Sequence, residues 1–262
     1  MKIATFTAPG NQTPLVGAVS GETVTTIDGV ANTIELLVGG AVPAAEGVAY
    51  PLSEVKLLAP VLRPSMVYGI GLNYSDHAKE VGAQEPPAPV VFPKVPGSIT
   101  APSGPVRVPS VIGKPDYEGE LAVIINGDGG VAGYCIADDV TGRDLQGREP
   151  QWVRGKGADT FCPLGPWLTT ADEIADPHDL EIKTWVNGDL RQDSSTSEMI
   201  YKVPELIEFI AQTCTLNAGD VVLTGTPAGV GMARDPREFL ASGDTVRIEI
   251  EGLGAIEHQI ES

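Results

Sequence analysis

The stretch "DYEGELAVII", Asp116 to Ile125, decides how this chain folds. Its second half is an apolar strand in which Leu121, Val123 and Ile125 alternate with Ala122 and Ile124, so both faces read as buried. Glu118 and Glu120 lead directly into it, with only Gly119 between them. Side chains two apart on a strand share a face, so two carboxylates stand side by side at the mouth of a core. Like charges at that spacing repel and raise each other's pKa. The arrangement needs a counter-charge.

A shared divalent cation is one solution, because it turns the repelling pair into a ligand set. Oxygen-only donors select hard ions such as Mg²⁺ or Mn²⁺. A further carboxylate comes from "CIADDVTGRD", where the next strand ends in Asp138 and Asp139. Gly119 would let backbone or ligand approach closely. The alternative is a solvated strand start at Glu118 and Glu120 and a plain turn at Asp138-Asp139. Spacing alone weighs the two readings equally.

Working outward, the chain reads as mostly β with few helices. Its 31 Gly and 22 Pro favour many tight turns. Strands are expected at 66–70, 118–125, 131–137, 181–187, 220–224 and 245–250, and "VNGDLRQ" carries an Asn-Gly hairpin signal. Residues 1–60 form a small β-rich domain with strands in "KIATFTA", "LVGAVS" and "TVTTID" and a short helix around "IELLVGG". Residues 61–262 form the main domain, entered through the Pro-punctuated "LAPVLRPS". The clearest helix is "VPELIEFIAQTC", with Pro204 in its first turn and Leu206, Ile207, Ile210 and Cys214 on one core-facing stripe. A shorter helical turn begins in "NYSDHAKEVG", with Ser75 as N-cap and Gly82 as terminator.

In all, 262 residues, 42% of them hydrophobic, suffice for a sizeable core. With 35 acidic residues against 17 Lys and Arg, the formal charge is −18. That field repels phosphate backbones and anionic lipid surfaces, which argues against nucleic acid and membranes as partners. No signal-peptide pattern or membrane-length apolar run is visible, and a reducing cytoplasm is the expected compartment. Cys135, Cys162 and Cys214 show neither a disulfide framework nor metal spacing and read as small buried hydrophobes.

Several other residues carry possible chemistry. His77 and Glu80 share a helix face at i, i+3, so Glu80 can orient His77 as a base; a surface histidine is the plainer reading. His178 and His258 sit in polar sequence contexts and read as ordinary. Lys156, in the Gly-flanked "WVRGKGADTFCPLGPW", can meet a substrate carboxylate or simply face solvent. The Gly-rich "LTGTPAGVG" lacks the GK[ST] ending of a phosphate loop, yet can offer backbone N–H groups and Thr226 to an anion. Arg143 and Gln146 complete a polar cluster beyond Asp139.

Seven segments, "GIGLNYSDHAKEVG", "FPKVPGSI", "DYEGELAVII", "GYCIADDVTGRDLQ", "GKGADTFCPLGPW", "VNGDLRQDSSTSEMI" and "VVLTGTPAGVG", occur in an order and spacing that resembles the fumarylacetoacetate hydrolase family. The resemblance implies a mixed, rolled β-sheet domain, a homodimer and one Mg²⁺ or Mn²⁺ ion. It places Glu118, Glu120 and Asp139 as metal ligands, and His77 and Glu80 as a catalytic dyad on a mobile lid. Lys156 becomes catalytic, with Arg143, Gln146, Gly225 and Thr226 as substrate contacts. Asp138 stands where the family's pattern has Asn, so it either adds a charge to the site or faces away. Asn73 lies near the place of a further Asp ligand in the eponymous enzyme, whose activity is therefore not expected. The expected substrate is a small oxo acid. The leading expectation is hydrolytic C–C cleavage of a 2,4-dioxo acid such as an acylpyruvate or diketo sugar acid. Isomerisation of 2-hydroxy-2,4-dienedioates and decarboxylation of oxaloacetate-type acids are the alternatives, and a non-catalytic metabolite-binding protein is the reading from another class.

Overall fold

The computed structural model describes residues 1–40 and 42–262. Its spine is the strand Gly119–Ile125, buried along its whole length. Val131–Asp138 pairs with it antiparallel on one side, and Val221–Leu223 on the other. From there a twelve-stranded mixed sheet spreads both ways. On one flank Val221–Leu223 runs parallel to Val67–Gly71, which pairs with Val90–Lys94. On the other flank Cys162–Thr170 bridges Val131–Asp138 to the N-terminal strand Lys2–Thr7. Strands Leu15–Ser20, Thr23–Thr26 and Ala49–Pro51 then continue the same sheet to its edge.

A second sheet of five strands lies over the first, with Asp189–Ser195, Glu181–Val186, Thr245–Ile250, Gly254–Glu261 and Val106–Arg107 in that order. The alternation of the spine explains the two cores. Leu121, Val123 and Ile125 point to the second sheet and pack with Ile182, Val246, Ile248 and Ile256. Ala122 and Ile124 point the other way, into a core shared with Ile3, Leu36, Leu37 and Leu223. Glu118 and Glu120 have the parity of Ala122 and Ile124, so both turn away from the second sheet.

Gly119 has the opposite parity, and its reason is packing rather than ligand approach. A Cβ there would stand 2.5 Å from Thr184 Oγ1, 3.1 Å from Ile248 Cγ2 and 3.2 Å from Gln192 Oε1. The gap between the sheets closes only over a hydrogen atom.

Other expectations need correction. Cys162–Thr170 is a nine-residue strand inside the main sheet, where its Pro and Gly content reads as loop. The ladder with Val131–Asp138 shifts register between Tyr134 and Ile136, which accommodates the irregular segment. The helix at 203 stops at Ala211, and Cys214 lies beyond it, exposed. Cys135 and Cys162 are buried as expected. Ser75 is the first residue of the helix Ser75–Glu80 rather than its cap, and its hydroxyl bonds the Glu198 carboxylate instead. Gly82 does follow the helix end in the left-handed region. Among the described residues no helix is long and apolar enough to cross a membrane.

The steric reading of Gly119 is testable. Gly119→Ala should lower stability by about 1–3 kcal/mol through overpacking, seen as an earlier urea midpoint. An unchanged midpoint would mean that the sheets can part to admit a methyl group.

Candidate metal and acid-binding site

Three strand ends and two short helices converge on the carboxylates. Asp139 follows directly on Val131–Asp138, and its N–H donates to the carbonyl of Glu118 at 2.9 Å. One oxygen from each of Glu118, Glu120 and Asp139 falls within 4.8 Å of the others, and all three residues are buried. The strand parity that turns Glu118 and Glu120 inward also separates the two aspartates. Asp139 joins the trio, while Asp138 turns toward the second sheet. There its Oδ1 accepts from the Glu118 N–H at 2.8 Å, and its Oδ2 lies 3.0 Å from His258 Nε2. His258 is therefore a buried neighbour of the site, not the ordinary polar residue its sequence context suggests.

The counter-charges are built in. Lys156 ends the helical turn Val153–Lys156, which packs so closely on the Gly142–Gln146 segment that a Cβ at Gly155 would lie 3.0 Å from the Gln146 backbone N. Its ammonium donates to Glu118 Oε2 at 2.8 Å, Asp139 Oδ2 at 2.6 Å and Thr141 Oγ1 at 2.9 Å, and lies 5.1 Å from the centre of the Phe92 ring. Arg143 reaches Asp116 Oδ2 at 2.8 Å through Nε, and Glu118 Oε1 at 2.6 Å and Gln146 Oε1 at 3.0 Å through Nη1. Its buried Nη2 has no partner.

Lys94 is the residue that sequence reasoning missed. It is fully buried, and its ammonium donates to Asp139 Oδ1 at 2.6 Å and to the carbonyls of Lys156 and Val140. It sits in the quoted "FPKVPGSI" segment, and a lysine at an inward strand position was the available signal, since a buried ammonium requires an anion.

These neighbours drive the two glutamates apart. Burial works against the Glu118 anion, but Lys156 and Arg143 outweigh it and hold the group down at about 2. Burial raises Glu120, and Asp139 and Glu118 raise it further, well above the carboxylate range. Lys156 itself is disfavoured by burial, yet Asp139 and Glu118 raise its pKa overall. Five carboxyl groups, Asp116, Glu118, Glu120, Asp138 and Asp139, gather with three basic side chains, Lys94, Arg143 and Lys156, and all of them are buried. Acidic groups outnumber basic ones there, and a hard cation would let Glu120 ionise beside Glu118 and Asp139. An oxygen-only trio fits Mg²⁺ or Mn²⁺.

The remaining expected residues fall around the same cavity, of about 310 Å³. His77 lines it, with Nδ1 3.0 Å from Glu80 Oε2, and Glu80 Oε1 accepts from the Gly229 N–H at 2.8 Å. Gln146 and Thr226 line it too, together with apolar Leu72, Val81, Trp152 and Met232. Gly225 and Thr226 have protein partners already. The Gly225 N–H, at φ +98°, donates to Glu120 Oε2 at 2.6 Å, so the anion this loop holds is the glutamate itself. Thr226 Oγ1 donates to the Gly119 carbonyl at 2.9 Å and accepts from the Gln192 amide at 2.8 Å. Asn73 is spent on the backbone of Tyr201 and Thr224 and adds no carboxylate. The segment around His77 is tied down by Ser194 Oγ donating to Asp76 Oδ2 at 2.6 Å and Tyr201 Oη donating to the Pro86 carbonyl at 2.6 Å.

The family model described as fumarylacetoacetate (FAA) hydrolase C-terminal matches residues 66–261. The chain belongs to this family. An Rv2993c-like N-terminal model matches residues 1–60. A mitochondrial oxaloacetate tautomerase of Rattus norvegicus is 41% identical over 288 residues, covering 99% of this chain and 91% of its own. A fumarylacetoacetate hydrolase from Exiguobacterium antarcticum superposes with a TM-score of 0.90 at 37% identity, covering 100% of this chain and 99% of its own. A 2-hydroxyhepta-2,4-diene-1,7-dioate isomerase from Mycobacterium marinum gives a TM-score of 0.84 at 35% identity, covering 100% and 98%. The family membership and the mostly β mixed-sheet fold expected from the sequence both hold.

The raised Glu120 carboxyl has a consequence for stability. The folded chain keeps a proton there that the unfolded chain releases above the ordinary carboxylate range. Stability of the metal-free fold therefore falls as pH rises from that range toward neutrality. Glu120→Gln removes this contribution and keeps an acceptor for Gly225. In EDTA at neutral pH the variant should melt higher than the parent, by about 2–4 °C for each kcal/mol gained. It should also lose the upward shift that Mn²⁺ gives the parent. A lower melting temperature in EDTA would refute the cost assigned to burying Glu120.

Proposed function

We propose that the chain is a divalent-metal-dependent enzyme that moves a proton at C3 of a small 2-oxo acid, interconverting its keto and enol forms, with oxaloacetate as the first substrate to try. The observation that carries this reading is the placement of a braced base, His77, on the wall of the cavity that Lys156 and Arg143 also line. The tautomerase name borne by relatives of 41–46% identity supports it. Held by Glu118, Glu120 and Asp139, Mg²⁺ or Mn²⁺ would supply Lewis-acid polarisation of the acid's oxygens.

The chain's own groups do the rest. Glu80 accepts at His77 Nδ1, which leaves Nε2 to take and return the C3 proton. The free Nη2 of Arg143 and the amide of Gln146 bind a substrate carboxylate. The Lys156 ammonium stabilises negative charge that develops on oxygen as the proton leaves. Leu72, Val81, Trp152 and Met232 keep bulk water from the reacting carbon.

Hydrolysis of a 2,4-dioxo acid is the second reading. The apolar lining suits an acyl group, and His77 would then take its proton from water. Decarboxylation of oxaloacetate draws on the same enol-forming site.

The deciding assay adds enol-oxaloacetate, acetylpyruvate and a 2-hydroxy-dienedioate separately, with Mn²⁺, Mg²⁺ or EDTA, and follows both absorbance and pyruvate release. Metal-dependent loss of the enol without pyruvate supports the tautomerase. Pyruvate from acetylpyruvate would move the chain to the hydrolase reading, and no turnover anywhere would sink the catalytic one. His77→Ala should slow turnover by about 10²–10⁴-fold while Mn²⁺ affinity by calorimetry stays unchanged. Full activity in that variant would remove His77 as the base.

A further inference from the structure

Two adjacent aspartates do different work in this site, and the second one has no assigned role. Asp138 is fully buried, and its Oδ1 accepts the Glu118 N–H at 2.8 Å. The next residue's N–H donates to the Glu118 carbonyl at 2.9 Å. The peptide groups on both sides of the Glu118 side chain are therefore held from one dipeptide. The free oxygen of Asp138 lies 3.0 Å from His258 Nε2, with both side chains wholly buried. The contact is close but not aligned as a hydrogen bond, and neither atom has a hydrogen-bond partner among the described residues.

His258 stands on Gly254–Glu261 in the second sheet, between the inward-facing Ile256 and Ile260. That is a position for an aliphatic side chain. A polar ring there, with its Nδ1 unpartnered, costs free energy unless its other nitrogen is used. Likewise a carboxylate facing the apolar layer between two sheets needs a partner there. The two unsatisfied atoms lie within ion-pair distance of each other, across the interface that Gly119 closes.

We infer that Asp138 is a positioning residue that fixes the backbone of the ligand Glu118, and that His258, reaching from the second sheet, fixes Asp138. The pair couples the outer sheet to the metal centre. This inference rests on the metal reading of the Glu118, Glu120 and Asp139 trio.

The test uses the full chain, with Mn²⁺ affinity measured by calorimetry and thermal melts in EDTA recorded alongside. In His258→Gln, Asp138 loses its designed partner, and Mn²⁺ affinity should fall by about tenfold, as for other outer partners of metal ligands. Asp138→Asn keeps the acceptor for Glu118 and drops the charge that needs His258. The double variant D138N/H258Q should therefore return to within about threefold of the parent, a shift well inside the outer-partner effect. D138A/H258Q lacks the acceptor and should stay weak. A merely structural role would lower the melting temperature without this pattern of loss and rescue in affinity. Parental affinity in H258Q, or failure of D138N to restore it, overturns the inference. Absence of Mn²⁺ binding by the parent chain would overturn the metal reading and this inference with it.

Discussion

The structure depends on the burial of five carboxyl groups in one place. Asp116, Glu118, Glu120, Asp138 and Asp139 are all buried, and burying that many carboxyl groups together needs matching charge. Lys94, Arg143 and Lys156 supply part of the match, and each is anchored by more than one contact. Among the described residues, Asp220 is the one buried acidic group outside this cluster, and it caps backbone N–H groups of Met66 and Asn217. Apart from Asp220, the buried acidic groups among the described residues are concentrated at this one point.

That concentration explains how the local elements are chosen. The Gly-rich turn after Val221–Leu223 turns one N–H onto Glu120 and another, at Gly229, onto Glu80. The same short loop thus holds a candidate metal ligand and the group that braces the base. Gln192 of the second sheet accepts from the Gly119 N–H at 3.0 Å and donates to Thr226 at 2.8 Å. Gly119, between the two glutamates, is consequently clamped from above while the glutamates face below. Preorganisation here is a property of hydrogen bonds that run between sheets, not of any one segment.

Much of this was legible in the sequence because it is periodic. The apolar run behind Glu118 and Glu120 states the strand and its burial, while the spacing of these glutamates and of Asp138-Asp139 left a carboxylate cluster and a solvated strand start evenly weighed. The sequence left open whether Asp138 joins the site or faces away; in the structure it shares parity with Tyr134 and Ile136, which face the second sheet. Contacts between segments distant in sequence were not legible. Lys94 meets Asp139 across forty-five positions, and His258 meets Asp138 across a longer gap still. No local pattern marks either pair. The strand Cys162–Thr170 was hidden for a different reason, because Pro163, Gly165 and Pro166 argue locally against a ladder that the tertiary context nevertheless imposes. Gly225 and Thr226 read as ligand contacts because a Gly-Thr turn offers donors, and sequence does not say that the protein's own Glu120 and Gly119 take them first.

The opposed shifts of Glu118 and Glu120 link this architecture to chemistry. One glutamate, paired with Lys156 and Arg143, is held as an anion; its neighbour two residues away, lacking such pairing, is held toward its neutral form. A hard dication at the trio would convert the second into the first, and the energy stored in burying an unmatched carboxyl would become affinity for the ion. A less acidic site would be easier to fold and poorer at holding a metal. Glu120 receives a direct hydrogen bond from Gly225 alone among the described residues, and Lys156 and Arg143 stand at the cavity wall. The repulsion that makes "EGE" improbable as a strand entry is therefore the property that makes it useful.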